Sequence, residues 1–178
     1  AALDGPRLLT FAANGDLFIG SKSGKVYRLA PPYSAPEVLV ALSGYPHSVA
    51  FRPGESANAP SNMAGRTSEA SRASVTARGP RLDPIGEILI ARTDGLYRAP
   101  YTPGQKKIPA DTVTLLAALP GGGGHNSRTV GVGPDGRVYV SLGIQGNCSD
   151  QYLGGSYSFD DRRGGIVVLR ADDGKPRW

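Results

Sequence analysis

Apolar and polar positions alternate along this chain in short runs, not at helical spacing. The first run, Arg7-Leu-Leu-Thr-Phe11, leads to a turn at Asn14-Gly15, and Asp16-Leu-Phe-Ile-Gly20 leads to another at Ser23-Gly24. Lys25-Val-Tyr-Arg-Leu29 and Glu37-Val-Leu-Val-Ala-Leu42 follow. Val, Ile, Phe and Tyr suit a pleated surface, and Asn-Gly or Ser-Gly pairs supply the backbone of tight hairpins. The segment therefore predicts four short antiparallel strands.

The pattern returns twice. Arg128-Thr-Val-Gly-Val132, a turn at Asp135-Gly136, Arg137-Val-Tyr-Val-Ser-Leu142 and, after a long loop, Gly165-Ile-Val-Val-Leu-Arg170 repeat it, and the chain stops at Trp178 about where a fourth strand would begin. Between these copies lies an interrupted one. Lifting out Ser56 to Glu87 joins Phe51-Arg-Pro-Gly-Glu55 to Ile88-Leu-Ile-Ala-Arg92, followed by Asp94-Gly95 and Leu96-Tyr-Arg98. The removed stretch is rich in Ala, Ser and Arg and lacks aromatics, so it buries too little apolar area to offset its ordering entropy. It reads as an inserted flexible loop, with Ser68 to Ala77 its best candidate for a helix.

Repeats of about 40 to 50 residues, each of four short strands, are the mark of β-propeller blades. The expected fold is all-β: a partial propeller of four-stranded antiparallel blades. Blade 1 spans about 7–42, blade 2 about 46–119 with the insert at 56–87, and blade 3 about 125–178. Three blades do not close a ring, since propellers have roughly four to eight. The remaining blades, or a second copy, are expected partners.

Composition sharpens this picture. With 25 Gly and 15 Pro, long helices are excluded. No apolar stretch approaches the roughly 20 residues of a membrane span, so a soluble globular domain is expected. The formal charge is +5, but basic residues are scattered through strand-like runs, and no nucleic-acid partner is expected. Cys148 stands alone, which excludes an internal disulfide and reads as an inert thiol. The chain begins Ala-Ala-Leu-Asp-Gly without a charged-then-apolar leader; removal of one would imply export, hence a periplasmic or secreted setting.

In a propeller, ligands gather where the innermost strands begin. Arg7, His47 and Arg128 stand four residues before Phe11, Phe51 and Val132, at the start of each inner strand. Converging cationic or donor groups suit an anionic ligand; the same positions also suit polar strand ends that merely face water. The loop Pro120-Gly-Gly-Gly-Gly-His125-Asn-Ser127 is the most unusual text. Its glycines let backbone pass close to a flat ligand, and an imidazole at the mouth can accept a proton at neutral pH; a loop histidine is equally at home in solvent. Gly131-Val-Gly133-Pro-Asp-Gly136 matches a dinucleotide fingerprint but leads into a strand, so it reads as a hairpin. Asn147-Cys-Ser149 fits a glycosylation sequon, and no set of metal ligands is apparent.

The stretch from Leu119 to Tyr152, LPGGGGHNSRTVGVGPDGRVYVSLGIQGNCSDQY, together with YPHSVAF and DDRRGGIVVL, resembles the soluble glucose/sorbosone dehydrogenase family. These are six-bladed propellers that use pyrroloquinoline quinone (PQQ). The resemblance covers 7–55 and 88–178, about three blades of an expected six. It implies a quinoprotein that oxidises a sugar or aldose hydroxyl, with His125 as the general base and hydride passing to PQQ. His47 and Gln145 are then expected to line the cofactor pocket, with Asn126, Arg128 and Asn147 as further contacts. It also implies Ca²⁺, with ligands in blades beyond Trp178, and a separate electron acceptor. The 178-residue chain alone is accordingly expected to be inactive. PQQ is flat and carries three carboxylates, which agrees in sign with Arg7, His47 and Arg128. A calcium-dependent propeller lactonase or hydrolase is the alternative enzyme, but it would need carboxylate and Asn ligands where this chain has Arg, His and Arg. A non-catalytic propeller binding module is the third reading.

Overall fold

The computed structural model describes residues 2–53, 86–147, 150, 152–169 and 175–178. The greater part of the insert, with Ser68 to Ala77, lies outside the described residues, as do Cys148 and Ser149 of the sequon.

Twelve strands form among them: β1 (Pro6–Phe11), β2 (Leu17–Ser21), β3 (Lys25–Leu29), β4 (Glu37–Ala41), β5 (Pro46–Arg52), β6 (Gly86–Arg92), β7 (Gly95–Tyr101), β8 (Thr114–Ala118), β9 (Arg128–Val132), β10 (Val138–Leu142), β11 (Gly165–Leu169) and β12 (Pro176–Arg177). They make three four-stranded antiparallel sheets, β1-β2-β3-β4, β5-β6-β7-β8 and β9-β10-β11-β12, each a simple meander. Turns form at Asn14-Gly15, Ser23-Gly24 and Asp135-Gly136 as the sequence predicts, whereas the β6–β7 hairpin turns at Thr93-Asp94 and Gly95 already pairs with Arg92. Gly15, Gly24 and Gly136 take positive φ, which a residue bearing a Cβ adopts reluctantly.

The sheets stack face to face as propeller blades, and β6 shows why. Ile88, Leu89, Ile90 and Ala91 are all fully buried. In a strand, alternate side chains point to opposite faces. Ile88 and Ile90 join Phe18, Val26 and Leu39 of the first sheet, whereas Leu89 and Ala91 join Val130, Val138, Val140 and Val167 of the third. A continuous apolar run in an antiparallel sheet thus marks the middle blade, covered on both sides. On the first side Phe18 meets Phe51 and Tyr101 edge-on, at centroid distances of 4.8 and 5.8 Å.

Strand β5 packs against β1 on one side and β9 on the other, so the inner strands lie together. Two hydroxyls stitch them. Thr10 donates to the Val49 carbonyl at 2.9 Å, and buried Ser48 donates to the Arg128 carbonyl while accepting from the Val130 amide, each at 2.9 Å. Ser48→Ala leaves two buried backbone groups between blades without a partner. It is expected to lower stability by about 1–3 kcal/mol, read from a denaturant midpoint, and an unchanged midpoint would contradict the stitch.

The insert ends earlier than its composition suggests. Gly86 and Glu87 are ladder residues of β6, where Glu87 lies opposite Arg52 and forms an ion pair with it. A partner on the neighbouring strand, not local apolarity, draws Glu87 into the sheet. Among the described residues, no helix is long and apolar enough to cross a membrane.

Candidate functional site

A meander brings every second turn back to the end where it started. Pro6 pairs with Ser21, Pro46 with Arg92 and Arg128 with Leu142. Lys22, Thr93 and Gly143-Ile144 therefore sit at the same end as Arg7, His47 and Arg128. A cavity of about 420 Å³ opens there, lined by Arg7, Lys22, Tyr45, His47, His125, Asn126 and Ser127. Arg7 donates to the Ser127 hydroxyl at 2.5 Å and so links the first blade to the third across the second. Lys22 and Tyr45 were not anticipated, although counting hairpins would have placed Lys22.

His47 is 2% exposed. Its Nε2 lies 3.0 Å from the Thr93 hydroxyl, and its Nδ1 is buried without a partner. Burial, then the charges of Arg7, Arg128 and Lys22, push its pKa down to about 4. The ring is therefore neutral at pH 7, with one unused nitrogen in a cationic setting.

His125 stands exposed on the glycine loop with φ +47°, in the left-handed region. Two features hold it there. Its Nδ1 lies 3.1 Å from the Ile144 carbonyl, and a Cβ at Gly143 would collide with the His125 carbonyl, so only glycine allows this approach. A carbonyl only accepts, so the proton is assigned to Nδ1, and the neutral ring presents Nε2 as a proton acceptor.

Arg128 departs from expectation. Placed among the cofactor contacts by the resemblance, it is fully buried and points into the protein. Its guanidinium donates to the carbonyls of Pro120 at 2.7 Å, Ser127 at 3.2 Å and Thr93 at 3.4 Å. The loop folds over it and leaves carbonyls that need a donor, so the side chain turns inward. Burial, then Arg163, lower its pKa to about 10, and it stays charged.

The structure reveals a second brace in Arg163, which no spacing in the sequence announces. It donates to the carbonyls of Gly121 at 3.2 Å, Gly124 at 3.1 Å and Gly143 at 3.1 Å, and also to that of Gly122. Gln145 lies across the loop from His125, in a neighbouring hollow of about 470 Å³ with Gly121, Tyr152, Tyr157 and Arg163. Asn147 is exposed and lines neither space. Of the six expected site residues, His47, His125 and Asn126 thus share one cavity, while Arg128, Gln145 and Asn147 do not.

A larger hollow of about 560 Å³ lies at the opposite ends of β1, β5 and β9. Its charged lining residues, Arg52 and Glu87, neutralise each other, so it offers little to a charged ligand. At the 420 Å³ mouth the balance is different. The ion pairs among the described residues include none with Arg7, Lys22, Arg128 or Arg163. The mouth therefore favours an anion, and His125 adds a proton acceptor at its rim. Among the described residues no three His, Cys, Asp or Glu side chains gather as a metal-holding group.

Solved structures with a similar fold are known. The holo PQQ domain of pyranose dehydrogenase from Coprinopsis cinerea superposes with a TM-score of 0.63 at 15% identity, covering 97% of this chain and 35% of that one. The likeness is one of fold. A calcium structure of a Trichoderma reesei carbohydrate-active enzyme of family AA12 gives a TM-score of 0.60 at 16% identity, covering 97% of this chain and 38% of the other. An iodide structure of a Trichoderma reesei family AA12 enzyme gives 0.54 at 17%, with coverage of 82% and 31%. The chain thus spans about a third of the length of these structures. No protein-family model and no curated protein matches it.

Proposed function

We propose that this chain is part of a PQQ-dependent sugar dehydrogenase in which His125 removes the proton of the hydroxyl being oxidised. One observation carries the reading: a single cavity is lined by Arg7, Lys22, His47 and His125, bordered by a glycine loop. The proteins similar in fold, whose names include a PQQ domain and carbohydrate-active enzymes, support it.

The residues fit the cofactor in charge and shape. Arg7 and Lys22 offer cationic donors to its carboxylates, the orphaned Nδ1 of buried His47 offers a further polar atom, and glycines leave room beside a planar ring. Arg128 serves from beneath, as a fixed positive charge and a brace. Gln145 and Asn147 belong to the outer rim in this reading. For Ca²⁺, no three His, Cys, Asp or Glu side chains gather among the described residues, and in this reading its ligands are supplied by further blades. When bound, PQQ supplies the acceptor for the hydride that leaves the carbinol carbon.

The protein's own part is to hold and to deprotonate. With Nδ1 committed to the Ile144 carbonyl, Nε2 of His125 takes the hydroxyl proton as the carbonyl product forms. A separate electron acceptor is the partner this reading requires, and a periplasmic or secreted setting agrees with a sugar substrate.

The test uses the full-length protein reconstituted with PQQ and Ca²⁺, with aldoses as substrates and a redox dye as acceptor. Sugar-dependent dye reduction is expected; a cofactor-saturated protein that reduces no dye with any aldose refutes the proposal. Arg7→Gln and Lys22→Gln are each expected to weaken PQQ binding about fivefold, as befits exposed charges, and to reduce its salt dependence. Absorbance titration of the apoprotein reads this out, and unchanged affinity in both variants would place the carboxylates elsewhere.

A further inference from the structure

We propose that Arg163 is a positioning residue for His125, acting through the backbone of the glycine loop. The proposal rests on the reading of His125 as the base, but its first readout requires no turnover.

The loop cannot hold its own shape. Residues 121–124 are glycines exposed to solvent, and glycine loses more conformational freedom on ordering than any other residue. Gly122, Gly123 and His125 all take positive φ, a sequence of conformations that the glycines have no side chains of their own to select, with the exposed side chain of Gln145 lying against Gly123. Something else must select it.

Arg163 is 4% exposed, and its Nε, Nη1 and Nη2 all donate to this region. Three of its acceptors, the carbonyls of Gly121, Gly122 and Gly124, are on the loop itself. The fourth is the carbonyl of Gly143, the glycine against which the His125 backbone packs. One planar guanidinium therefore fixes both sides of the contact that aims the imidazole. The next residue, Ile144, accepts from Nδ1 of that imidazole. Arg128 holds only the margins of the loop, at Pro120 and Ser127.

Arg163 does not line the cavity around His125, so its influence on that ring passes through the loop. The carbonyls it gathers would otherwise face one another with no donor between them. A guanidinium, with five N–H groups in a rigid fork, can serve four acceptors at once; an ammonium has three donors and no fixed plane.

The experiment compares the parent full-length protein with Arg163→Met and Arg163→Lys. Backbone ¹⁵N order parameters across 121–125 and ¹⁵N spectra of the His125 ring are recorded without cofactor, followed by PQQ titration and steady-state kinetics. In the parent, the neutral ring is expected to carry its proton on Nδ1. In Arg163→Met, the loop order parameters are expected to fall below about 0.6, the range of flexible backbone, and the ring to lose its single tautomer. Turnover is expected to fall about 10- to 100-fold, as misaimed catalytic groups do, with PQQ affinity changed less than about threefold. Arg163→Lys is expected to lie between, and it serves if the methionine variant does not fold. Loop order parameters and tautomer unchanged from the parent in the folded variants would overturn the proposal. So would PQQ affinity that falls in proportion to turnover. A parent protein with no sugar-dependent turnover would instead refute the dehydrogenase reading, while the order parameters and tautomer data would still decide the role of Arg163.

Discussion

Replacing His125 with Ala in the full-length, PQQ-loaded protein is expected to lower sugar-dependent dye reduction by about 10²- to 10⁴-fold. Cofactor affinity should change little. The split follows from what the side chain touches. Its one hydrogen bond is to the Ile144 carbonyl, and the cationic donors of the cavity, Arg7 and Lys22, are separate residues. Deleting the imidazole removes the proton acceptor and leaves the charged lining in place. Hydroxide and water remain as poor substitutes, so some turnover survives. His125→Gln separates size from chemistry: an amide can accept a hydrogen bond but not a proton, and it should be nearly as slow as Ala. Added imidazole should restore part of the rate to the alanine variant and none to the parent. Turnover within a few-fold of the parent in both variants would remove His125 from the reaction, whatever the cofactor titration shows.

The blades were legible because their signals are local. Asn14-Gly15, Ser23-Gly24 and Asp135-Gly136 mark hairpins by backbone need alone, Asp94-Gly95 signals a hairpin whose turn lies one residue earlier, and the runs between them are too short and too β-branched for helices. The meeting of Arg7 and His47 at one end of the sheets was equally legible, since both open their inner strands on one cavity. Arg128 stands at the same count along its strand as those two, but it pairs in register with Leu142, whereas Arg7 and His47 fall where the register of their strands shifts, and its guanidinium turns to backbone carbonyls. The difference lies in the loop that folds over it, where the carbonyls of Pro120 and Ser127 are left without donors. No count along a strand reveals that. Arg163 is harder still, since it reaches the glycine loop from about 40 residues away in sequence, and only the closed fold makes them neighbours. Glu87 shows the same limit on a smaller scale, being assigned to the insert by composition and to β6 by its partner Arg52.

Acid should weaken this fold through His47 in a way that an anion at the mouth reverses. Free imidazole in an unfolded chain titrates near 6.5, whereas His47 in the fold titrates at about 4. Between those values the unfolded chain holds a proton that the folded one does not, so stability rises with pH across the window. The contribution is complete above about 6.5 and is lost as pH falls toward 4, up to about 3 kcal/mol. The cause is burial first, then Arg7 from β1, Lys22 from the β2–β3 turn and Arg128 from β9, all of the same sign as the protonated ring. Thr93, the ring's polar partner, carries no charge to offset them. His47→Gln, which can keep the Thr93 bond without titrating, should flatten the difference in melting temperature between pH 4.5 and 7 relative to the parent. A carboxylate bound at the mouth supplies the missing opposite charge and raises the ring's pKa. PQQ should therefore bind more tightly at pH 5 than at pH 7.5 and take up a proton as it does so. The glutamine variant should lose that uptake. Parallel melting profiles for parent and variant, together with PQQ binding that releases no proton and takes none up, would show that His47 neither senses the charge at the mouth nor faces the ligand.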